Sequence, residues 1–261
     1  MVASEPNSNF APPQGFKPPA DRLATGDRRF NNGHAYFSIG TLAMGTDIQN
    51  LGYLALPSAG SGAGIIVIQE WWGLVPHICD LADRFAAAGY VALAPDLYHG
   101  QKTTSPDQAE QLMMALNIEQ TAQDLRQSIE YLLNHEAVTH PRLAVVGFCM
   151  GGQLALLAAT LSPEIVATID FYGIHPDVKP DFSQLSGPVL GFFGQQDQFV
   201  ASDAVEALTA DIQAAQGTIE THIYPEAGHA FFNDARPEAY SAEAAADAWQ
   251  RSLAFLQAHL A

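Results

Sequence analysis

The chain alternates short continuous apolar runs with longer amphipathic ones. Six runs, at 65–70, 90–94, 143–146, 166–172, 189–193 and 220–224, have the length and side chains of strands, and those at 65–70 and 143–146 are unbroken enough to be buried on both faces. Between them lie segments with helical spacing. In 75–88, Ile78, Leu81, Ala82 and Phe85 share one face while Asp80, Asp83 and Arg84 fall mostly elsewhere, and Gly89 ends the run. Further helices are expected over 106–135, with a break near Asn117, over 153–160, over 202–216 and over about 240–259. Two short stretches nearer the start, 34–39 and 52–56, are aromatic and β-branched with Gly40 and Gly45 between them, and predict an antiparallel edge. Strands alternating with helices imply a mostly parallel sheet with helices on both faces. The fold class is α/β.

Residues 1–32 break the pattern. Pro6, Pro12, Pro13, Pro18 and Pro19 among Asn, Ser, Ala and Gly discourage both helix and strand, so the expectation is an extended or disordered arm followed by a single domain over 33–261. The arm lacks the basic start, apolar centre and small-residue cleavage site of a secretory signal. No apolar run approaches the roughly 18 residues needed to cross a bilayer. The 261 residues carry 28 acidic against 11 basic side chains, a formal charge of −17 that repels nucleic acid and anionic lipid. A small molecule is the expected partner, with no nucleic acid and no membrane, and the chain is expected to be a monomer or homodimer. Two cysteines, Cys79 and Cys149, make no disulfide framework and no C-x-x-C pattern, which suits the cytoplasm. The nine histidines do not fall at metal-ligand spacing, so neither metal nor cofactor is expected.

Chemistry concentrates around Cys149. The run 143–146 leads into Gly147-Phe148-Cys149-Met150-Gly151, and strong helix formers follow. A G-x-C-x-G step between strand and helix has the form of a nucleophile elbow, in which the flanking glycines make room for a tight turn strained at the nucleophile itself. The thiol would then stand at a helix N-terminus, where the dipole favours thiolate. Asp197 follows the strand 189–193 and His229 follows the strand 220–224, each just past a carboxyl end and on the same sheet edge as Cys149. Nucleophile, acid, histidine is the chain order of α/β-hydrolases. Glu70 ends another strand at that edge.

The motifs Gln69-Glu70-Trp71-Trp72-Gly73, Ala94-Pro95-Asp96-Leu97-Tyr98, 147–152, 194–200 and 227–232 together resemble the dienelactone hydrolase (carboxymethylenebutenolidase) family, over about 34–259. That resemblance implies an α/β-hydrolase fold without metal and a triad of Cys149, His229 and Asp197. It also implies that Glu70 holds the thiol unreactive and deprotonates it once substrate binds. Backbone N–H groups of Met150 and Trp71 would meet the oxyanion. In founding members two arginines grip the substrate carboxylate; here 105–115 contains no Arg or Lys, and the position four past His229 is Asn233. Arg236 and Lys102 are nearby in sequence but off the motif. The expectation is therefore looser specificity for esters or lactones, with Trp71, Trp72, Tyr98, Phe231 and Phe232 around the substrate and Arg236 at its edge. Two other readings compete: a redox thiol with Cys79 resolving Cys149, and a silent hydrolase fold used for binding.

Overall fold

The computed structural model describes residues 51–173 and 175–260. Among these residues seven strands form one sheet in the order β1-β3-β2-β4-β5-β6-β7. They are β1 (Gly52–Ala55), β2 (Gly62–Ile68), β3 (Val91–Pro95), β4 (Val138–Phe148), β5 (Ile165–Phe171), β6 (Val189–Gly194) and β7 (Ile219–Tyr224). All pairings are parallel except β1 with β3, which is antiparallel with Gly52 opposite Pro95. The expected antiparallel edge is thus present, with β3 as the partner of 52–55; the stretch 34–39 and the arm at 1–32 lie outside the described residues.

The central strands read as apolar because both faces are covered. Ile65, Ile66, Val67 and Ile68 of β2 and Leu143 to Val146 of β4 have no exposed surface. Among the described residues six helices cover the sheet: α1 (Pro76–Ala87), α2 (Pro106–Met114), α3 (Ile118–Asn134), α4 (Met150–Leu161), α5 (Ser202–Ala214) and α6 (Ala242–Leu260). Phe85 of α1 meets Trp249 of α6, ring centres 4.8 Å apart, while α3 and α4 pack together and Leu156 of α4 shares a core cluster with Ile212 of α5. The break expected near Asn117 is a helix cap: the Asn117 side chain accepts the Gln120 amide at 3.1 Å and starts α3 after α2 has ended. A 3-10 turn at Phe182–Gln184, with Asp181 capping it, had no sequence expectation.

Strand β4 starts five residues before its apolar run. Val138 pairs with Gly62, and residues 139–142 are exposed, so hydrophobicity does not mark them. None of the helices among the described residues is long and apolar enough to cross a membrane.

Candidate active site

Cys149 lies between β4 and α4 with φ 56° and ψ −124°, a conformation costly for a residue with a Cβ. The neighbouring glycines explain how the chain reaches it. A Cβ on Gly147 would run into the Gly151 carbonyl, and a Cβ on Gly151 into the carbonyls of Gln69 and Ile68. Two bare α-carbons thus let the elbow fold onto itself and press against the end of β2, where Gln69 and Glu70 begin the next loop. Cys149 caps α4, and Met150 is its first residue, so the Met150 N–H is one of those a helix cannot use internally. The thiol residue is 7% exposed.

His229 sits in the loop after β7 and Asp197 in the loop after β6. His229 Nδ1 is 2.8 Å from Asp197 Oδ2, and the Asp197 side chain is fully buried. The other carboxylate oxygen, Oδ1, accepts the Phe199 amide at 2.7 Å and the Val200 amide at 3.0 Å. The acid is therefore held on both sides. The imidazole is flanked by Tyr172 (ring centres 5.1 Å apart) and Phe199 (4.9 Å). Burial disfavours a charge on His229, yet the Cys149 sulfur, which hydrogen-bonds it, and the Asp197 carboxylate outweigh burial and push it up to about 10. Sulfur, imidazole and carboxylate thus act on one another in series.

Glu70, 1% exposed, receives one hydrogen bond from Asn233 Nδ2 at 2.8 Å. The Asn233 amide has a fixed orientation, because its Oδ1 accepts the Ala235 N–H at 3.1 Å and leaves the NH₂ for Glu70. The next residue, Asp234, reaches Arg84 at 2.5 Å and lies 3.6 Å from His77 Nδ1, both on α1. The loop after His229 is therefore tied to the tip of β2 and to α1 at once.

Among the remaining expected residues, Tyr98 is 4% exposed and its hydroxyl donates to Met150 Sδ at 3.2 Å. Asp96 shapes that loop by accepting the Tyr98 and Gly100 amides at 3.2 and 2.8 Å. Trp71 and Trp72 are partly exposed and meet edge to face at 5.1 Å. The Arg236 guanidinium lies 5.5 Å over the Trp72 ring and pairs with Glu238 at 3.0 Å. Phe231 has no exposed surface and packs between Tyr172 and Tyr224, 5.3 and 5.1 Å away. Phe232 stacks on Phe148, meets Phe171 at a tilt and borders a groove between α1 and α6. Both phenylalanines support the His229 loop from within the core.

A family model described as the dienelactone hydrolase family matches residues 51–260. The chain belongs to the dienelactone hydrolase family. It is 34% identical over 223 residues to a Yersinia pestis protein named "Putative carboxymethylenebutenolidase", covering 79% of this chain and 83% of that one. A Bradyrhizobium protein named "Probable 2-oxo-3-(5-oxofuran-2-ylidene)propanoate lactonase" is 34% identical over 224 residues, covering 80% and 90%. Among solved structures, a "Putative Dienelactone Hydrolase" from Klebsiella pneumoniae superposes with a TM-score of 0.69 at 34% identity, covering 77% of this chain and 88% of that one. Membership makes the fold an α/β-hydrolase fold and the protein an ester or lactone hydrolase.

Three residues of this family member escaped the sequence reading. Tyr172, fully buried with φ 44°, carries a hydroxyl that is not hydrogen-bonded in good geometry; burial raises its pKa well above the usual value, Glu70, Cys149 and Asp197 push the same way, and the Phe232 amide pulls against them. Its hydroxyl is the common neighbour of the three acids. His77 belongs to the buried stripe of α1 with Leu81 and Phe85; that spacing of four was the available signal. Burial lowers its basicity, against the fields of Glu70 and Asp234. Asp170, on β5 beside Gly147, is fully buried with neither carboxylate oxygen hydrogen-bonded in good geometry, and burial pushes it up to about 7 against the pull of the Gly173 amide.

Cys79 and Cys149 are both free thiols. Burial, with the Asp83 carboxylate, pushes Cys79 up to about 11, which leaves it little thiolate character at neutral pH.

Proposed function

We propose that the protein hydrolyses small carboxylic esters or enol-lactones through a covalent thioester on Cys149. The observation that carries this reading is the strained elbow at Cys149 next to an imidazole that is itself held by Asp197 at 2.8 Å. Cys149 attacks the carbonyl carbon as thiolate. The oxyanion is received by the Met150 and Trp71 amides, the first at the N-terminus of α4. His229, protonated while paired with the thiolate, gives its proton to the departing alcohol or enol oxygen. It then takes a proton from the water that attacks the thioester, and the acid leaves with Cys149 restored.

Glu70 is assigned the gating role. It is a buried carboxylate at the end of β2, against which Gly151 presses the elbow. It accepts the thiol proton when substrate enters and returns it to the Cys149 sulfur when the acid product leaves, with His229 protonated at the start and end of the cycle. Trp71, Trp72 and Tyr98 surround the substrate, and Arg236 lies at the rim. A redox role for the two cysteines fits less well, because it gives His229 and Asp197 no task and Cys79 has little thiolate.

Turnover of p-nitrophenyl acetate tests the proposal. Cys149→Ala is expected to abolish it and His229→Ala to lower it by about 10³-fold, whereas Cys79→Ala should leave it near wild type. Unchanged turnover in Cys149→Ala would overturn the reading.

A further inference from the structure

We infer that the site selects substrates whose acyl group is uncharged, and that the amide of Asn233 sets this preference. The inference rests on the hydrolase reading above and names the substrate class of that same site.

Apart from His229, the charged groups gathered around the thiol among the described residues are negative. Glu70 and Asp197 are both buried, and a thiolate at Cys149 adds a third negative group. His229 is the cation they share, and it is already engaged by Asp197 and by the sulfur. Asn233 is the partner of Glu70, and its orientation is locked by the Ala235 amide, so it satisfies the carboxylate with a dipole and adds no charge. Among the described residues, no ion pair joins a lysine or arginine to Glu70 or Asp197. Arg236, three residues on, is committed to Glu238 and to the face of Trp72. Arg84 is committed to Asp80 and Asp234. Lys102 is exposed and sits across a bridge from Gly73, with its field felt at Cys79 on α1.

A carboxylate on the substrate would lose its hydration on entering and find like charges in place of a partner. The chain's charge of −17 adds repulsion at longer range. Uncharged aromatic surface has the opposite fate. Phe199 is 42% exposed and lies 4.9 Å from the His229 ring, and Trp71 and Trp72 are partly exposed on the Glu70 side. The favoured substrate is an uncharged ester or lactone with a flat apolar part.

The full chain is assayed on 4-nitrophenyl butyrate and on mono-4-nitrophenyl succinate, which share chain length and leaving group but differ by one carboxylate. At low salt, kcat/KM is expected to favour butyrate by about tenfold or more. Raising ionic strength from about 0.01 M to about 0.15 M, which shortens the Debye length from roughly 30 to 8 Å, should raise the succinate value and leave the butyrate value unchanged. Arg236→Gln should leave the ratio within about twofold, since that guanidinium has other partners. Asn233→Arg, which places a cation beside Glu70, should shift the ratio toward succinate. A ratio near or below one, a succinate rate that falls with salt, or a selective loss of succinate turnover in Arg236→Gln would overturn the inference while leaving the thiol hydrolase reading intact. No turnover of either ester, or turnover that survives Cys149→Ala, would overturn both.

Discussion

His229 Nδ1 and Asp197 Oδ2 lie 2.8 Å apart, and the opposite face of the same carboxylate is closed by two amide donors, from Phe199 and Val200. The consequence is a fixed tautomer. A carboxylate that accepts on every side requires the proton on Nδ1 and leaves Nε2 for the sulfur.

Asp197→Asn turns that arrangement against the enzyme. The asparagine oxygen is claimed by the Phe199 and Val200 amides, so its NH₂ must face His229 Nδ1 and drive the proton to Nε2. Once the ring has given its proton to the leaving group, it then presents a donor where it must accept from water. Activity on a neutral aryl ester should fall by about 10³- to 10⁴-fold, with little change in the thermal midpoint. Retention of more than about a tenth of the wild-type kcat/KM would show that the aspartate does not set the tautomer.

The alternation of strand and helix, the break at Asn117 and the strand-elbow-helix at Cys149 were all readable because each has a local cause: apolar period, cap chemistry, or glycines that a tight turn demands. The seven-stranded order and the pairing of β1 with β3 needed the structure, since the stretch 34–39 was an equally good partner by composition. The beginning of β4 was invisible because residues 139–142 pair at an exposed margin. At the site, Cys149, Asp197 and His229 were legible from their shared position after strands. The partners of Glu70 were not, because Asn233 is 163 residues away and looks like any loop asparagine. Phe231 and Phe232 fit either pocket or core by sequence, and their burial is a distinction between two faces of one loop that no spacing encodes.

Asp170 gives a pH signature separate from the triad. Its folded pKa is raised to about 7 by burial, above the ordinary value of 3.8. The folded state therefore binds the proton more tightly than the unfolded state. Its stabilising share is fully present below about pH 4, and stability is lost as pH rises through about 7, where the buried carboxylate must ionise without a good partner. Asp170→Asn removes the ionisation and keeps the shape. Urea unfolding should find the variant about as stable as wild type near pH 4 and more stable, by about 1 kcal/mol or more, at pH 8. A difference that does not change between those pH values would mean that Asp170 does not titrate in this range.

The Asn233 to Glu70 hydrogen bond predicts an interaction energy that can be measured without any substrate. Asn233→Leu removes the donor and leaves a nearly inaccessible carboxylate without it, at a cost of about 1–3 kcal/mol. Part of that cost is the charge itself. In a Glu70→Gln background the same leucine meets a neutral amide, which is cheaper to leave unpaired than a carboxylate. The two substitutions should therefore be non-additive, with the double variant more stable than the sum of the single effects predicts by about 1 kcal/mol or more. Chemical denaturation of the four proteins at pH 7 supplies the cycle. Additivity within about 0.5 kcal/mol would mean that the two side chains are neighbours without energetic coupling. In that case Glu70 would be held in place by the packing of Gly151 against the end of β2 and not by the loop that follows His229.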